Sequence, residues 1–452
     1  MRLAYHASCG TNTHTSYVLS VLQSLTSHLK SKVALSDGAA PGTYACLQWS
    51  PNSVGLVRQL LRRMLGWLST GSGAALVTRS LSTMSAAAAN SDRRIVVCGG
   101  GIIGTSIAYY LTTRKGCKNV VLVDRVGIAP AASGKAGGFL ALDWNDGSPV
   151  GALTRASFEL HQELADSLGV ETDYRRLTCE AVAIGGGRPG AAQAAQKKLQ
   201  NVEWADLGAQ GSRPMGDQST IAQVHPKKLA DALWAKASEA GATLRVGSVE
   251  GVERHGGGSG SVSGVRVDGE TLPADAVVVA MGPWCGAAQL RLPPIYGQKY
   301  HSVLLRPERV LSQAVFFQGR GDPEVYPRPD GEVYVTGFPD EPIMVTEVPG
   351  AVEVRPEAVA KLVEAARGLS SEFADAESAP VVGEQSCHLP CAPDGLPVIG
   401  ALPGVDGAYV ATGHSCWGIL NAPATGLAMA ELIVDGKAEC VDLGPFSPAR
   451  FG

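Results

Sequence analysis

Two stretches of the chain hold residues whose types and spacing can do chemistry. In the first, Gly99, Gly101 and Gly104 follow the apolar run Ile95–Val97 as G-x-G-x-x-G. Asp124 closes a second apolar run, Val120–Val123, about 20 residues further on. The first glycine permits a tight turn, the second lets backbone approach a pyrophosphate, and the third lets the next helix pack closely on the sheet. Ile102 and Ile103 open that helix, whose N-terminal N–H groups and dipole attract phosphate. Asp124, with Arg125 beside it, stands where an acid holds a ribose hydroxyl. The chemistry is dinucleotide binding. A glycine-rich turn in an ordinary α/β sheet is the competing interpretation, and it leaves Asp124 unexplained.

The second stretch is Thr412-Gly413-His414-Ser415-Cys416-Trp417-Gly418-Ile419, where a strand at 407–411 runs into a helix expected over 422–434. It is another glycine-marked strand-to-helix junction, and folding the two together builds one site from both ends of the chain. Other chemistry-bearing side chains are fewer. Lys299 and His301 sit in GQKYHSVLL, Lys299 either facing a cofactor or lying as a strand lysine, His301 either functional or packed. His414 is open between general base and a residue that positions backbone. The small-residue loop Ser133–Gly138 either lets backbone lie against a flat ring or a phosphate, or is a connector.

Positioning these residues requires an α/β framework. Helical apolar spacing covers 151–170 and 227–240, with strands at 179–185, 242–246 and 275–280, the last ending at Gly282, where open α/β sheets bind ligands. A hairpin joins 263–267 to 270–272 through Asp268-Gly269. From Pro293 onward the character changes to β-rich runs at 301–305, 312–318, 325–328 and 332–337, which read as an antiparallel sheet. A helix over 355–369 and a polar connector over 372–382 follow. A further helix is expected at 191–200, with no chemistry attached.

The chain has 452 residues, 45% hydrophobic and 18% charged, which suits a full core and two domains or one interleaved pair. No apolar run reaches the roughly 18 residues of a membrane helix. The ten cysteines lack zinc spacing, and Cys387 and Cys391 match neither a redox nor a metal pattern. They read as reduced thiols of an intracellular compartment. Residues 1–91 carry a net +6 and a single acid, Asp37, leaving −10 for residues 92–452 within the total of −4. The net-acidic body argues against a nucleic-acid partner. The basic Ser/Ala/Thr-rich leader has the composition of a transit segment for a chloroplast or mitochondrion, with a disordered tail as the alternative.

The glycine run with Asp124, the ASGKAGG loop, AMGPW, and DGLPVIG followed by ATGHSCWGI occur in this order over about residues 93–436. Together they resemble the D-amino-acid-oxidase-like (DAO) family of FAD-dependent oxidoreductases, and GHSCWGILNAPATG is similar to a plant and fungal branch of it. The resemblance implies a Rossmann-like FAD domain interleaved with an antiparallel-sheet substrate domain. Residues 92–170, 223–292 and 383–452 would form the first, and 171–222 and 293–382 the second. It implies pyrophosphate binding by Gly99, Gly101 and Gly104, ribose binding by Asp124, and adenine contact through Val249 backbone. Ser133, Gly137 and Gly138 would approach the flavin, with Gly413, His414, Trp417, Gly418 and Ile419 along its other side. Lys299, His301, His414 and Trp417 are the catalytic candidates. An amine or amino-acid-like substrate, and oxygen, a quinone or an electron carrier as acceptor, are the implied partners. One departure matters: Leu389 stands where family amine oxidases commonly place an arginine that grips a substrate carboxylate. Arg328 or Lys299 would have to substitute, or the protein acts as a flavin-binding assembly or trafficking factor.

Overall fold

The computed structural model describes residues 92–169, 172–185, 199, 201–256, 260–319 and 321–452. All belong to the compact unit Ser82–Gly452. The expected leader and nearly all of the helix at 191–200 lie outside the described residues.

The first sheet has six strands in the order Val398–Ala401, Ala408–Thr412, Ala276–Val279, Arg94–Cys98, Asn119–Asp124, Thr243–Val246. All neighbours are parallel except Val398–Ala401, which turns back on Ala408–Thr412. Ile95–Cys98 are buried without alternation because both faces of the sheet are covered. On one side lie the helices Ile102–Thr113, Pro226–Glu239 and Gly418–Asp435, packed around Ile95, Val97 and Leu122. On the other, Val96, Cys98 and Val123 meet a three-stranded antiparallel sheet, Val249–Arg254, Val262–Val267 and Glu270–Pro273. The expected Asp268-Gly269 turn closes its hairpin, both residues at positive φ.

The helix Gly418–Asp435 lies inside the core. Ser415–Asp435 has an 18-residue window of mean hydropathy 1.3, long and apolar enough by composition to span a bilayer, and 67% of that window is buried within the fold. The expectation that no apolar run reaches that length is corrected here: the helix is apolar all round because protein surrounds it. Pro423 removes the N–H that would bond the Ile419 carbonyl. His161 repairs the gap, its Nε2 lying 3.0 Å from that oxygen and 3.1 Å from that of Leu420. Burial lowers the His161 pKa to about 4 against those bonds, so the ring is a neutral structural donor.

The second sheet has seven strands, in the order Val381–Cys391, Tyr296–Leu305, Val333–Gly337, Glu324–Pro327, Gln313–Gln318, Thr178–Ile184, Ala209–Gly216. The strand Val381–Cys391 replaces the end of the expected connector and the start of the segment assigned to the FAD domain from 383. It pairs with the whole length of Tyr296–Leu305, so the two halves of the molecule meet after Cys391. As an edge strand it exposes Val382 and Glu384, which breaks the apolar alternation that marks the other strands. Side chains alternate between the sheet's two faces. Val303, Leu305, Val315, Phe317, Val325 and Val335 pack toward the helix Pro356–Arg367 and Trp204. Leu304, Ala314, Tyr326 and Tyr334 belong to the other face, which meets Phe139, Trp144 and Trp417.

Candidate active site

A cavity runs from Asp124 and Val249, past the glycine loop, to Leu389 and Cys416. Its first part is made by backbone. Gly101 is the N-cap of the helix Ile102–Thr113 and has no side chain of its own to cap it, and Gly99, Gly101, Ile102 and Ile103 all line the cavity. At Gly99 (φ +113°) a Cβ would lie 2.2 Å from the Ala280 carbonyl oxygen, and at Gly104 one would lie 1.9 Å from the Gly99 carbonyl oxygen. A Cβ on Gly101 would meet only Ser133 Oγ, at 3.1 Å. Gly99 and Gly104 therefore make the turn, while Gly101 keeps the cradle open to a ligand. That is the space and the donor set a pyrophosphate requires.

Asp124 has a second duty. Its Oδ2 accepts from the Gly100 N–H (2.8 Å), and its Oδ1 accepts from Val126 (2.8 Å) and Gly127 (3.0 Å). The carboxylate clamps the glycine loop to the chain after the second strand. It still lines the cavity, and with about four acceptor sites it keeps capacity for a ribose hydroxyl. Arg125 is exposed at the rim. Val249, with Gly247 and Ser248, lines the same end. Ser133 Oγ accepts from Ile102 N–H at 2.8 Å and also lines the cavity, as does Gly282.

Gly137 and Gly138 are not on the lining. Gly137 makes room for aromatic rings, since its Cβ would fall 2.2 Å from the Tyr326 ring, and Gly138 (φ +83°) sits against the Val224 carbonyl oxygen. Gly413 (φ +76°) turns the chain out of its strand. His414, Gly418 and Ile419 line the cavity, which brings the second glycine junction against the first. The start of the helix Gly418–Asp435 thus points its positive end into the cavity. His414 is buried, its Nε2 3.1 Å from Thr425 Oγ1 and its Nδ1 without a protein partner. Burial pushes its pKa down to about 3, so it is neutral at physiological pH.

Lys299 and His301 share the sheet face of Val303 and Leu305, and neither lines the cavity. Lys299 Nζ donates to Glu347 Oε1 at 3.0 Å, and His388, its register partner, lies 2.6 Å from Glu347 Oε2. Burial opposes ionisation of Glu347, but the bonds from His388 and Lys299 hold its carboxyl down to about 2. The Glu347 carbonyl accepts from the Trp284 indole at 2.6 Å, and Pro349 lines the cavity. The segment around Glu347 is thereby strapped across from the substrate sheet to the cofactor side. His301 Nε2 accepts from Arg355 N–H at 3.1 Å, a packed histidine.

Off the cavity lining, Trp417, next to Cys416 in the chain, belongs to a cluster of packed aromatic side chains. Phe139 stacks on Tyr326 (5.3 Å between centroids), Tyr326 on Tyr334 (5.9 Å), and Phe316 meets Phe139, Trp144 and Tyr326 at 5.3, 5.1 and 5.6 Å. Trp417 meets Trp144 edge-on at 6.3 Å. One acid stands among them: Glu324 accepts from the Tyr326 hydroxyl, and no cation among the described residues pairs with it. Burial raises its pKa. Arg328, only 3% exposed, donates through Nη2 to the Ala136 carbonyl and pairs with Glu332, leaving its buried Nε without a partner, and Lys299 is paired with Glu347. Sequence reasoning missed Glu324, Tyr326 and the Glu347 strap. An acid amid β-rich aromatic residues, at alternating spacing with Tyr326, was the available signal for the first two.

A family model described as FAD dependent oxidoreductase matches residues 94–432. The "Putative oxidoreductase C1F5.03c" of Schizosaccharomyces pombe is 31% identical over 390 residues, covering 79% of this chain and 98% of that one. The glycine oxidase of Geobacillus kaustophilus is 28% identical over 389 residues, with 79% and 96% covered. A crystal structure of glycine oxidase from Geobacillus kaustophilus superposes with a TM-score of 0.65 at 26% identity, over 79% of this chain and 99% of that one. The backbone cradle fits the cofactor of that family, and this chain belongs to the DAO family of FAD-dependent oxidoreductases.

Proposed function

We propose that this enzyme oxidises the carbon–nitrogen bond of an amine or amino-acid-like molecule. The observation that carries the reading is the continuous cavity, which joins the glycine cradle at Gly99–Ile103 to the second glycine junction at His414–Ile419 and to Leu389. Glycine oxidase, one of the relatives above, acts by its name on an amino acid. When bound, FAD supplies the two-electron acceptor: the carbon beside nitrogen gives up hydride, and the resulting imine is hydrolysed by water to a carbonyl compound and an amine. Oxygen, a quinone or a carrier protein takes the electrons onward.

The chain's own residues orient and exclude water. The N-terminus of the helix Gly418–Asp435 places partial positive charge where anionic charge develops on reduction. His414, neutral and held by Thr425, fixes the junction that bears that helix and carries no proton at neutral pH. Trp284 and the segment at Glu347–Pro349 cover one side of the cavity. The purified full-length chain should be yellow, and a panel of amines and amino acids should include one that bleaches it without oxygen. A bound flavin that none of them bleaches favours an assembly or trafficking role, and no flavin after reconstitution removes the reading. We also propose organellar import, chloroplast or mitochondrion, on the +6 charge of residues 1–91. A fluorescent fusion to residues 1–91 that stays in the cytosol overturns it.

A further inference from the structure

We propose that Glu347 is a positioning residue for the cofactor: it latches residues 344–351 across the cavity, and FAD enters and leaves only when that latch lets go. The inference concerns the passage of FAD and does not depend on which molecule is oxidised.

The first support is the path of the strap. Before it, Ile343 is pinned to the substrate sheet, exchanging both backbone bonds with Gly297 at 2.7 and 3.0 Å. After it, Ser386 Oγ lies 3.1 Å from the Val352 carbonyl oxygen and 2.7 Å from that of Glu353. Between these anchors Glu347 reaches His388 and Trp284, and Pro349 lines the cavity. Gly350 then comes against the other rim, where a Cβ would lie 3.2 Å from Val126 Cγ2 and 3.9 Å from Pro130 Cβ. His388 adjoins Leu389, and Val126 follows Asp124 by two residues. The strap therefore crosses a dinucleotide lying along the cavity between Asp124 and Leu389.

The second support is how the strap is held. None of residues 338–351 is buried, and Ile343, Met344 and Val348 are exposed. The strand Val333–Gly337 before them is buried throughout, and the helix Pro356–Arg367 after them buries Val359, Leu362 and Ala366. Hydrophobic burial fixes the flanks and contributes little to the crossing. Among the described residues, every hydrogen bond from 344–351 to the rest of the fold belongs to Glu347. Its Oε1 accepts from Lys299 Nζ at 3.0 Å and from the Glu353 N–H at 3.1 Å, and its Oε2 lies 2.6 Å from His388 Nε2. Its carbonyl accepts from the Trp284 indole at 2.6 Å. A segment with few buried contacts and one cluster of bonds opens locally, well below the free energy of global unfolding. Lys299 and His388 are both buried, and among the described residues Glu347 is the only carboxylate paired with either. Removing it strands a buried lysine, which then gains by opening to water.

The test measures two rates on the full-length chain by flavin fluorescence: FAD release from the holoprotein on dilution, and FAD capture by the apoprotein. A latch slows entry and exit alike, whereas a contact with bound FAD slows exit alone. Glu347→Gln is expected to speed release and capture by at least about 10-fold each, with Kd moving by no more than about 3-fold. Lys299→Met removes one of the ties and should move both rates the same way by a smaller factor. Two unchanged rates overturn the proposal, and so does faster release with unchanged capture. If Glu347→Gln does not fold, the same two rates in Lys299→Met decide. If the chain takes up no FAD, the cofactor assignment falls and hydrogen exchange over 344–351 still judges the latch. Exchange at least about 10-fold faster in Glu347→Gln supports it, and unchanged exchange overturns it.

Discussion

At Gly99–Ile103 the protein offers its ligand backbone, with side chains removed to make room; around Tyr326 it gathers aromatic side chains from separate strands. The cradle is a local object, complete within one strand-to-helix turn and clamped by Asp124 at 2.8 Å from the Gly100 nitrogen. The aromatic cluster beside Cys416 is a tertiary one. Its residues come from the strand Phe139–Ala141 and Trp144 after it, the strands Gln313–Gln318 and Glu324–Pro327, and the junction at Ser415–Trp417. A backbone cradle recognises what all members of a cofactor class share, whereas a side-chain chamber is free to change its ligand by single substitutions.

Removing the cradle's defining gap should have the largest effect. Gly101→Val adds bulk facing the cavity, where the added atom meets little but Ser133. It should weaken FAD binding by at least about 100-fold while the chain still folds, measured by flavin content and circular dichroism. Retention of FAD at wild-type affinity would break the assignment of this loop. On the chamber side, Leu389→Arg supplies a bidentate donor. It should raise activity toward α-amino acids relative to their decarboxylated amines by about 10-fold or more, read as the ratio of kcat/KM values. No change in that ratio would mean that Leu389 is not at the substrate.

Gly137→Ala tests where one region ends and the other begins. Its Cβ would press on the Tyr326 ring at 2.2 Å, an overpacking of about 1–3 kcal/mol. The chamber should suffer, with substrate binding weakened about 10-fold, while FAD affinity shifts by no more than about 3-fold. The reverse pattern would place Gly137 against the flavin.

The smallest effect belongs to the strap. Glu347 is held at about 2 against an ordinary 4.5, so its contribution to stability is full above about pH 4.5 and is lost as pH falls toward 2. Glu347→Gln should lower the Tm at pH 7 by a few degrees, about 2–4 °C per kcal/mol for a domain of 150–250 residues, and should flatten the loss of stability between pH 4.5 and 2. A wild-type acid limb in the variant would assign that limb to other carboxylates.

The same contrast explains what could be read before the structure. The glycine cradle, Asp124, the hairpin at Asp268-Gly269 and the junction at His414 were legible because each depends on spacing within a short segment. His301 opens the expected strand at 301–305 and Lys299 lies before it; the strand in fact begins at Tyr296, and the facing of both depends on its register against Val381–Cys391, which puts Lys299 opposite His388 and both under Glu347. That strand was hidden by its polar edge residues. Glu324 was hidden for a similar reason, since no local pattern shows which face of a middle strand meets a loop some 180 residues earlier. The core helix Gly418–Asp435 was legible as a helix, yet its dependence on His161 across Pro423 was not.

The most direct test of the two-region account compares anaerobic bleaching of the FAD-loaded enzyme by benzylamine and by phenylglycine, which differ by one carboxylate. The account predicts that the amine reduces the flavin, at least about 10-fold faster than the amino acid at equal concentration. Faster reduction by phenylglycine, or none by either beside unimpaired FAD binding, would contradict it.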